Sequence, residues 1–345
     1  MYNADSDKEK YVYLDRINQI VGSQDTNVHF ANVTRNLHSS LMVGGTVVNY
    51  LVELAACWAI FLIISGIYRG WGNLRRSDTK RQKLKNRHTI TGMIAAIPLL
   101  FLIGSGLPWS AFMGNQIYNL ATSQQSLGYP PIYSSPLQSK VENKDLPWAT
   151  RQEHPPQSQK EGRSLSVDEM EKVISSERIS SPYVLRLPKN SSEVYTVSKS
   201  SGSGITGQDV HPRDEMTAYF DQYSGRLISK IDFNDYGILA KWFSYGIPLH
   251  EGHLFGWPNQ ILCLLTTLSL LLLIYWGVRM WWIRRPKGKW GAPSAPKPSK
   301  EMISFIGIMI VLGIIMPLLG MSLIIIGILE GLRAVVSPKR ISSSM

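Results

Sequence analysis

Four runs of the chain, Thr46–Tyr68, Thr89–Phe112, Asn259–Trp282 and Met302–Leu329, are almost free of charged side chains. Each is long enough to cross the ~30 Å hydrocarbon core of a bilayer as a helix. Lipid offers no partner to an unpaired backbone amide, so a spanning segment must satisfy its own N–H and C=O groups. The sequence therefore predicts a membrane protein, an α-helical bundle of four transmembrane helices, and excludes a soluble globular chain.

Charge then orients the bundle. The net charge of +11 is concentrated in two loops. Residues 69–88 carry eight Lys/Arg and one Asp, and residues 283–301 carry six Lys/Arg and one Glu. Short basic loops stay cytoplasmic because positively charged segments resist translocation. The block between the second and third runs is then extracytoplasmic, and from Lys140 to Glu251 it holds 14 Lys/Arg against 16 Asp/Glu. With the basic excess anchoring topology, nucleic acid is not expected as a partner; the lipid bilayer is. The same orientation puts residues 1–45 outside, although they contain no signal peptide and no apolar run. We therefore expect that a chain of this kind ordinarily has a further spanning helix upstream. Tyr11–Phe30 has the mixed character of a folded segment, and residues 330–345 form a tail.

The external block divides by composition. Residues 113–165 are rich in Ser, Pro, Gln and Tyr and read as linker. Residues 166–235 are more regular. A helix is predicted over Ser166–Ile174, with Ser166 and Glu169 in capping-box spacing. Strands are predicted at Tyr183–Leu187, Glu193–Ser198, Met216–Phe220 and Arg226–Phe233, the last two joined by a turn at Asp221–Gly225. One helix followed by an antiparallel meander is a small α+β module. Its turn, Asp221-Gln-Tyr-Ser-Gly225, resembles the "D-x-Y-[ST]-G" turn common in PepSY domains. No GxSxG, HExxH or phosphate loop accompanies it. Residues 236–258, a pre-membrane segment containing LHEGHLFG, lead into the third run.

Histidines sit at the ends of the runs. His38 precedes the first, His88 begins the second on the cytoplasmic side, and His250 and His253 precede the third. His29, His154 and His211 lie in the external segments. Two imidazoles on different helices at one membrane face are what bis-histidine haem b ligation requires, and His38 with His250 meets that condition. Interfacial polar side chains at span ends are the competing account. His253 reads as a bystander. Glu53 lies inside the first run, where a lone carboxylate is costly; it either supports a ligand histidine or pairs with polar groups such as Asn49. Pro98 and Pro108 are candidate kinks, and Trp71, Trp109, Trp257, Trp281 and Trp282 form interfacial belts. Gly307, Gly313, Gly320 and Gly327 are expected to share one face of the fourth helix. Cys57 and Cys263 both lie in apolar runs and make no CxxC pattern, so neither a disulfide framework nor a zinc site is expected.

A longer set of motifs adds to these readings. In order they are Leu37-His38-x-x-Leu41, Leu51-Val52-Glu53-Leu54-Ala55, Ser65-Gly66-Ile67-Tyr68 and Arg87-His88-x-x-x-Gly92. Then come Gly106-Leu107-Pro108-Trp109-Ser110, Leu249-His250-Glu251-Gly252-x-x-Phe255-Gly256 and Gly277-Val278-Arg279-Met280-Trp281-Trp282. Their order and membrane placement resemble the PepSY-associated transmembrane family of iron-regulated membrane proteins. The resemblance implies a multi-pass protein of the bacterial inner membrane with its large loop in the periplasm. It also implies one or two haem b groups, with His38 and His250 as ligands to one iron, and His88 and Glu53 as further cofactor-side residues. Members resembling periplasmic ferric-siderophore reductases pass electrons outward, so a ferric siderophore is the implied substrate and a cytoplasmic or quinol donor the implied electron source. Such relatives begin with a spanning helix carrying an "LHxxxG" entry, which this sequence does not show before His38, so the expected partner of His88 is missing. The alternative implied by the PepSY module is a non-enzymatic membrane regulator, or an accessory of an envelope peptidase or iron transporter.

Overall fold

A computed structural model describes residues 10–70, 79–123, 147, 149–150, 155–159, 162–202, 210–286 and 300–336. Along the chain run a hairpin of β1 (Lys10–Leu14) and β2 (Ile20–Asp25), then helices α1 (Phe30–Ser40), α2 (Thr46–Gly70), α3 (Lys80–Gly106) and α4 (Ala111–Ser123). The module follows as α5 (Val167–Ser176), β3 (Val184–Arg186), β4 (Tyr195–Lys199), β5 (Met216–Phe220) and β6 (Leu227–Asp232). Helices α6 (Ile238–Glu251), α7 (Trp257–Arg284), α8 (Lys300–Ile315) and α9 (Pro317–Val336) complete the described chain. It divides into two compact units. The first holds β1, β2, α1, α2 to Leu62, Trp109–Met113 and α8–α9; the second holds the remainder.

Among the described residues three helical segments are long and apolar enough to cross a membrane: Thr46–Gly70, Lys80–Trp109 and Trp257–Arg284. They correspond to the first three runs. The second starts nine residues before the apolar stretch because the basic loop itself supplies good helix formers, and Thr79 caps them by accepting from the Gln82 amide at 3.3 Å.

The fourth run is not one span. It breaks at Met316 into α8 and α9. Pro317 has no amide to donate and disfavours helical backbone at Met316 before it. The glycines predicted to share one helix face are divided by this break. Gly313 and Gly320 instead meet across it: a Cβ on Gly320 would collide with the Gly313 carbonyl and one on Gly313 would crowd the Gly320 Cα at 3.2 Å, whereas a Cβ on Gly307 or Gly327 would meet nothing within 4 Å among the described residues. Their seven-residue spacing reflects a close turn between helices. At 1.5 Å per residue α8 is about 24 Å long, short of a full crossing.

The linker reading also needs correction at its start. Residues 113–123 belong to α4, whose first amides are capped from α2 as described below. Its later part is tied to the module: Leu165 donates its amide to the Gln222 carbonyl at 2.8 Å, and Ser158 Oγ accepts the Gln222 amide at 3.0 Å. Residues 124–146 and His154 lie outside the described residues.

The N-terminal segment folds as its mixed pattern suggested. Asp15 Oδ1 accepts the amides of Ile17 and Gln19, both at 2.9 Å, and Asn18 takes the left-handed conformation (φ 60°) that closes the β1–β2 turn.

In the module the sheet order is β3-β4-β5-β6, antiparallel throughout. Alternation along β4 and β5 sends Tyr195, Val197, Met216, Ala218 and Phe220 to the face covered by α5, where they bury Met170 and Ile174. The capping box forms: Ser166 Oγ accepts the Glu169 amide at 3.3 Å, and Glu169 Oε2 accepts the Ser166 amide at 2.7 Å. The predicted Asp221–Gly225 turn is knotted by Asp221 Oδ1, which accepts from the amides of Tyr223 (3.0 Å) and Ser224 (2.8 Å) and from the Ser224 hydroxyl (2.9 Å). Gly225 sits at φ 69°, and a Cβ there would press on Leu165 and Val173 at 3.0 Å. Backbone and packing both exclude a side chain.

Candidate functional site

A cluster of polar side chains lies within the second unit, where α3, α6 and α7 pack together. Helix α6 ends at Glu251 with Gly252 in the left-handed C-cap position (φ 86°). This stop leaves His250 in the last turn. Its Nδ1 lies 2.8 Å from the Leu102 carbonyl oxygen and 3.3 Å from Ser105 Oγ, both near the end of α3. A carbonyl only accepts, so the proton sits on Nδ1 and Nε2 is the basic nitrogen. The ring approaches Gly106 so closely that a Cβ there would meet its Cε1 at 3.1 Å. Glycine is what lets the imidazole lie against α3.

The end of α6 is also held from α7. The buried Asn259 donates through Nδ2 to the Leu249 carbonyl at 3.2 Å, and Cys263 Sγ lies 3.7 Å from the same oxygen. His253 braces the segment against the module, with Nε2 2.9 Å from the Ser201 carbonyl oxygen and Nδ1 3.7 Å from Glu251. The module is joined to α6 a second time through Glu215, a buried carboxylate. It accepts from the Ser201 amide (3.0 Å) and hydroxyl (2.7 Å) and from the Ser244 hydroxyl (2.6 Å). Tyr236, also buried, has its hydroxyl pushed well above the ordinary tyrosine range, by burial first and then by the Glu215, Asp232 and Asp235 charges.

His88 stands near the other end of α3. Its ring is hydrogen-bonded to the backbone of Leu273 on α7, and its buried Nδ1 has no hydrogen-bond partner among the described residues. From His88 to Ser105 is about 25 Å along a helix. The two imidazoles therefore mark opposite ends of one spanning helix, and each has one nitrogen committed to a main-chain oxygen.

His38 belongs to the first unit, exposed in the last turn of α1. Neither unit by itself contains both His38 and His250. Glu53, in the same unit as His38, is 3% exposed. Its carboxylate accepts the amides of Phe112 (2.9 Å) and Met113 (3.0 Å), and the neighbouring Asn49 Oδ1 accepts that of Ala111 (2.7 Å). These are orphan donors of the first turn of α4, where the helix dipole favours a negative charge. Within this unit Glu53 thus caps a helix; among the described residues neither of its carboxylate oxygens bonds to a histidine. His211 caps a short 3-10 turn by accepting the Arg213 amide at 3.2 Å.

What could such residues hold? Among the described residues no group of three or more His, Cys, Asp and Glu side chains converges as a metal cage. A haem needs only axial imidazoles, and an imidazole whose other ring nitrogen donates to a carbonyl is the usual form of a metal-ligating histidine. His250 fits that description, and His88 has the same character. Of the residues that shape the His250 site, Leu102, Ser105 and Asn259 were not singled out by the sequence. Ser105 was visible only as a polar residue interrupting an apolar run and Asn259 as a polar residue at the start of one, whereas Leu102, acting through its main-chain oxygen, gave no signal.

No curated protein matches the chain. The family described as PepSY-associated TM region matches over residues 1–284, more than four-fifths of the length. With the three membrane-length helices and the small α+β module in place, the chain belongs to the family of the PepSY-associated TM region.

Proposed function

We propose that this protein is an inner-membrane, haem-binding electron-transfer protein that reduces ferric iron, held by a siderophore, at the extracytoplasmic face. The observation carrying the reading is the state of His250. Its Nδ1–H is spent on the Leu102 carbonyl, Gly106 leaves room for the ring, and Asn259 fixes the helix end that bears it. A ligand nitrogen held in one tautomer and one orientation needs no rearrangement on binding. Haem b bound there would supply one-electron redox chemistry. The chain's own residues would hold and tune the group: His250 and, as the sequence resemblance implies, His38 would be its histidine ligands, and the Leu102 carbonyl would raise the basicity of the His250 imidazole. His88 would serve the opposite membrane end. The module, locked to α6 through Glu215 and His253, would position the substrate beside the membrane and the donor would act from the cytoplasm or as a quinol.

The test uses the full chain, expressed with ample haem and purified in detergent. A reduced-minus-oxidised spectrum should be b-type, with about one haem per chain by extraction if His88 is unpaired. His250→Ala should remove most of it. Gly106→Leu, which leaves every ligand in place but crowds the ring, should do the same. A colourless wild-type protein would defeat the reading and favour a cofactor-free regulator; so would full haem content in His250→Ala.

A further inference from the structure

The module contains a feature that redox chemistry does not explain, a largely buried lysine side chain on its core face. Alternation along β4 places Lys199 with Tyr195 and Val197 on the side covered by α5, where an apolar residue is expected. Lys199 is 8% exposed, and its Nζ bonds to the Ser180 hydroxyl at 3.2 Å. Among the described residues no carboxylate forms an ion pair with it. A buried cation with only a neutral partner destabilises a fold, and an apolar side chain of similar size would usually do better.

Lys199 lines an open recess of about 180 Å³, which also receives Arg178, Arg213 and Lys230. Arg178 reaches it from a left-handed backbone position (φ 58°) just after α5. Arg213 is held by its Nε–H, which donates to the Tyr245 hydroxyl at 3.1 Å. Three acids share the lining. Glu215 is turned away onto Ser201 and Ser244, whereas Asp214 and Asp232 remain at the recess, Asp232 accepting the Asn234 amide at 2.8 Å. The recess thus offers several cationic donors and two carboxylate acceptors. It is smaller than pockets that enclose drug-sized ligands.

We propose that this recess binds a small hydroxycarboxylate, with a carboxylate group neutralising Lys199 and hydroxyl groups donating to Asp214 or Asp232. Phosphate fits less well: near neutral pH it carries a hydroxyl donor of its own, but as one compact anion it can engage fewer of the four cationic side chains at once than a ligand with several carboxylates. The site is independent of the haem reading, since it involves neither His250 nor any spanning helix.

Citrate is the probe, added to the full chain in detergent, with binding read by calorimetry and by thermal shift. Citrate should bind and raise the melting temperature. Tricarballylate, which lacks the hydroxyl, and inorganic phosphate should bind several-fold more weakly. Lys199→Met should melt no lower than wild type without ligand yet bind citrate at least tenfold more weakly. Arg178→Ala, at an exposed position, should weaken citrate several-fold with the fold intact. The proposal is overturned if citrate gives neither heat nor shift, or if phosphate or tricarballylate binds as tightly. It is also overturned if Arg178→Ala binds citrate like wild type, or if Lys199→Met does so or is destabilised without ligand.

Discussion

The module and the spanning helices are built inside out with respect to each other. In the module, Ile174, Val197 and Phe220 are fully buried. On α3 Ile94 is 75% and Ile97 77% exposed, while three of the four buried positions are the small Ala95, Ala96 and Ser105, with Leu99 the one large apolar side chain among them. Burying apolar area drives the first arrangement. It cannot drive the second, since lipid is as apolar as leucine, and contacts between small residues and between polar groups must do so. Buried polar groups therefore mean different things in the two regions. In the module Lys199 is an anomaly, whereas in the helices His250, Asn259 and Glu53 belong to the means of assembly.

The sharpest way to break this comparison is to delete apolar side chains on each side. Phe220→Ala empties the centre of the module and should cost about 3–5 kcal/mol. Ile97→Ala removes a lipid-facing side chain and should cost about 0.5 kcal/mol or less. Hydrogen exchange of β5 amides in the full chain, alongside thermal unfolding in detergent, measures both. Similar losses would mean that Ile97 packs against protein and that the inversion is false.

The polar counterpart is Glu53. Replacing it by Leu leaves the Phe112 and Met113 amides without an acceptor in an apolar setting, at about 2–4 kcal/mol. Gln keeps one acceptor oxygen and should lose roughly half as much. Faster exchange at those two amides, before any change in the module, is the expected signature. If Glu53→Leu were neutral, polar contacts would not be what holds this helix end.

The same inversion decides what was legible in the sequence. Run length identifies α2, α3 and α7 because hydrocarbon thickness sets it, and period-two alternation with a capping box and a turn motif identifies the module. Run length is blind to a turn made of apolar residues. Met302–Leu329 therefore read as one span, although Pro317 and the Gly313–Gly320 contact divide it. Composition likewise called residues 113–123 linker, because their helix depends on caps from Asn49 and Glu53, some 60 positions earlier. His250 was visible as a histidine at a span end. Its partner Leu102 was not, since the bond uses a main-chain oxygen 148 positions away and carries no side-chain signature.

A smaller effect than the Phe220 and Glu53 losses concerns a charge that the module keeps under cover. Burial opposes ionisation of Asp221, but hydrogen bonds from the Ser224 amide and hydroxyl and from the Tyr223 and Gln159 amides outweigh it and hold its carboxyl below the ordinary range. A depressed folded value contributes stability that is complete above the unfolded pKa, near 3.9, and is lost as the pH falls through the lower folded value. The module should thus keep its full protection from neutral pH down to about 5 and lose it progressively below about 4. Glu169, held low chiefly by the Ser166 amide and hydroxyl and then by Arg163, acts with the same sign. Asp221→Asn should therefore cost about 1 kcal/mol at pH 7 and flatten, without abolishing, the acid dependence. Peptide-resolved exchange should place that loss in the β5–β6 turn and leave α3 and α7 unchanged. Acid lability spreading equally into those helices would show that the two regions share one unfolding event, and that the contrast in their construction does not make them separate cooperative units.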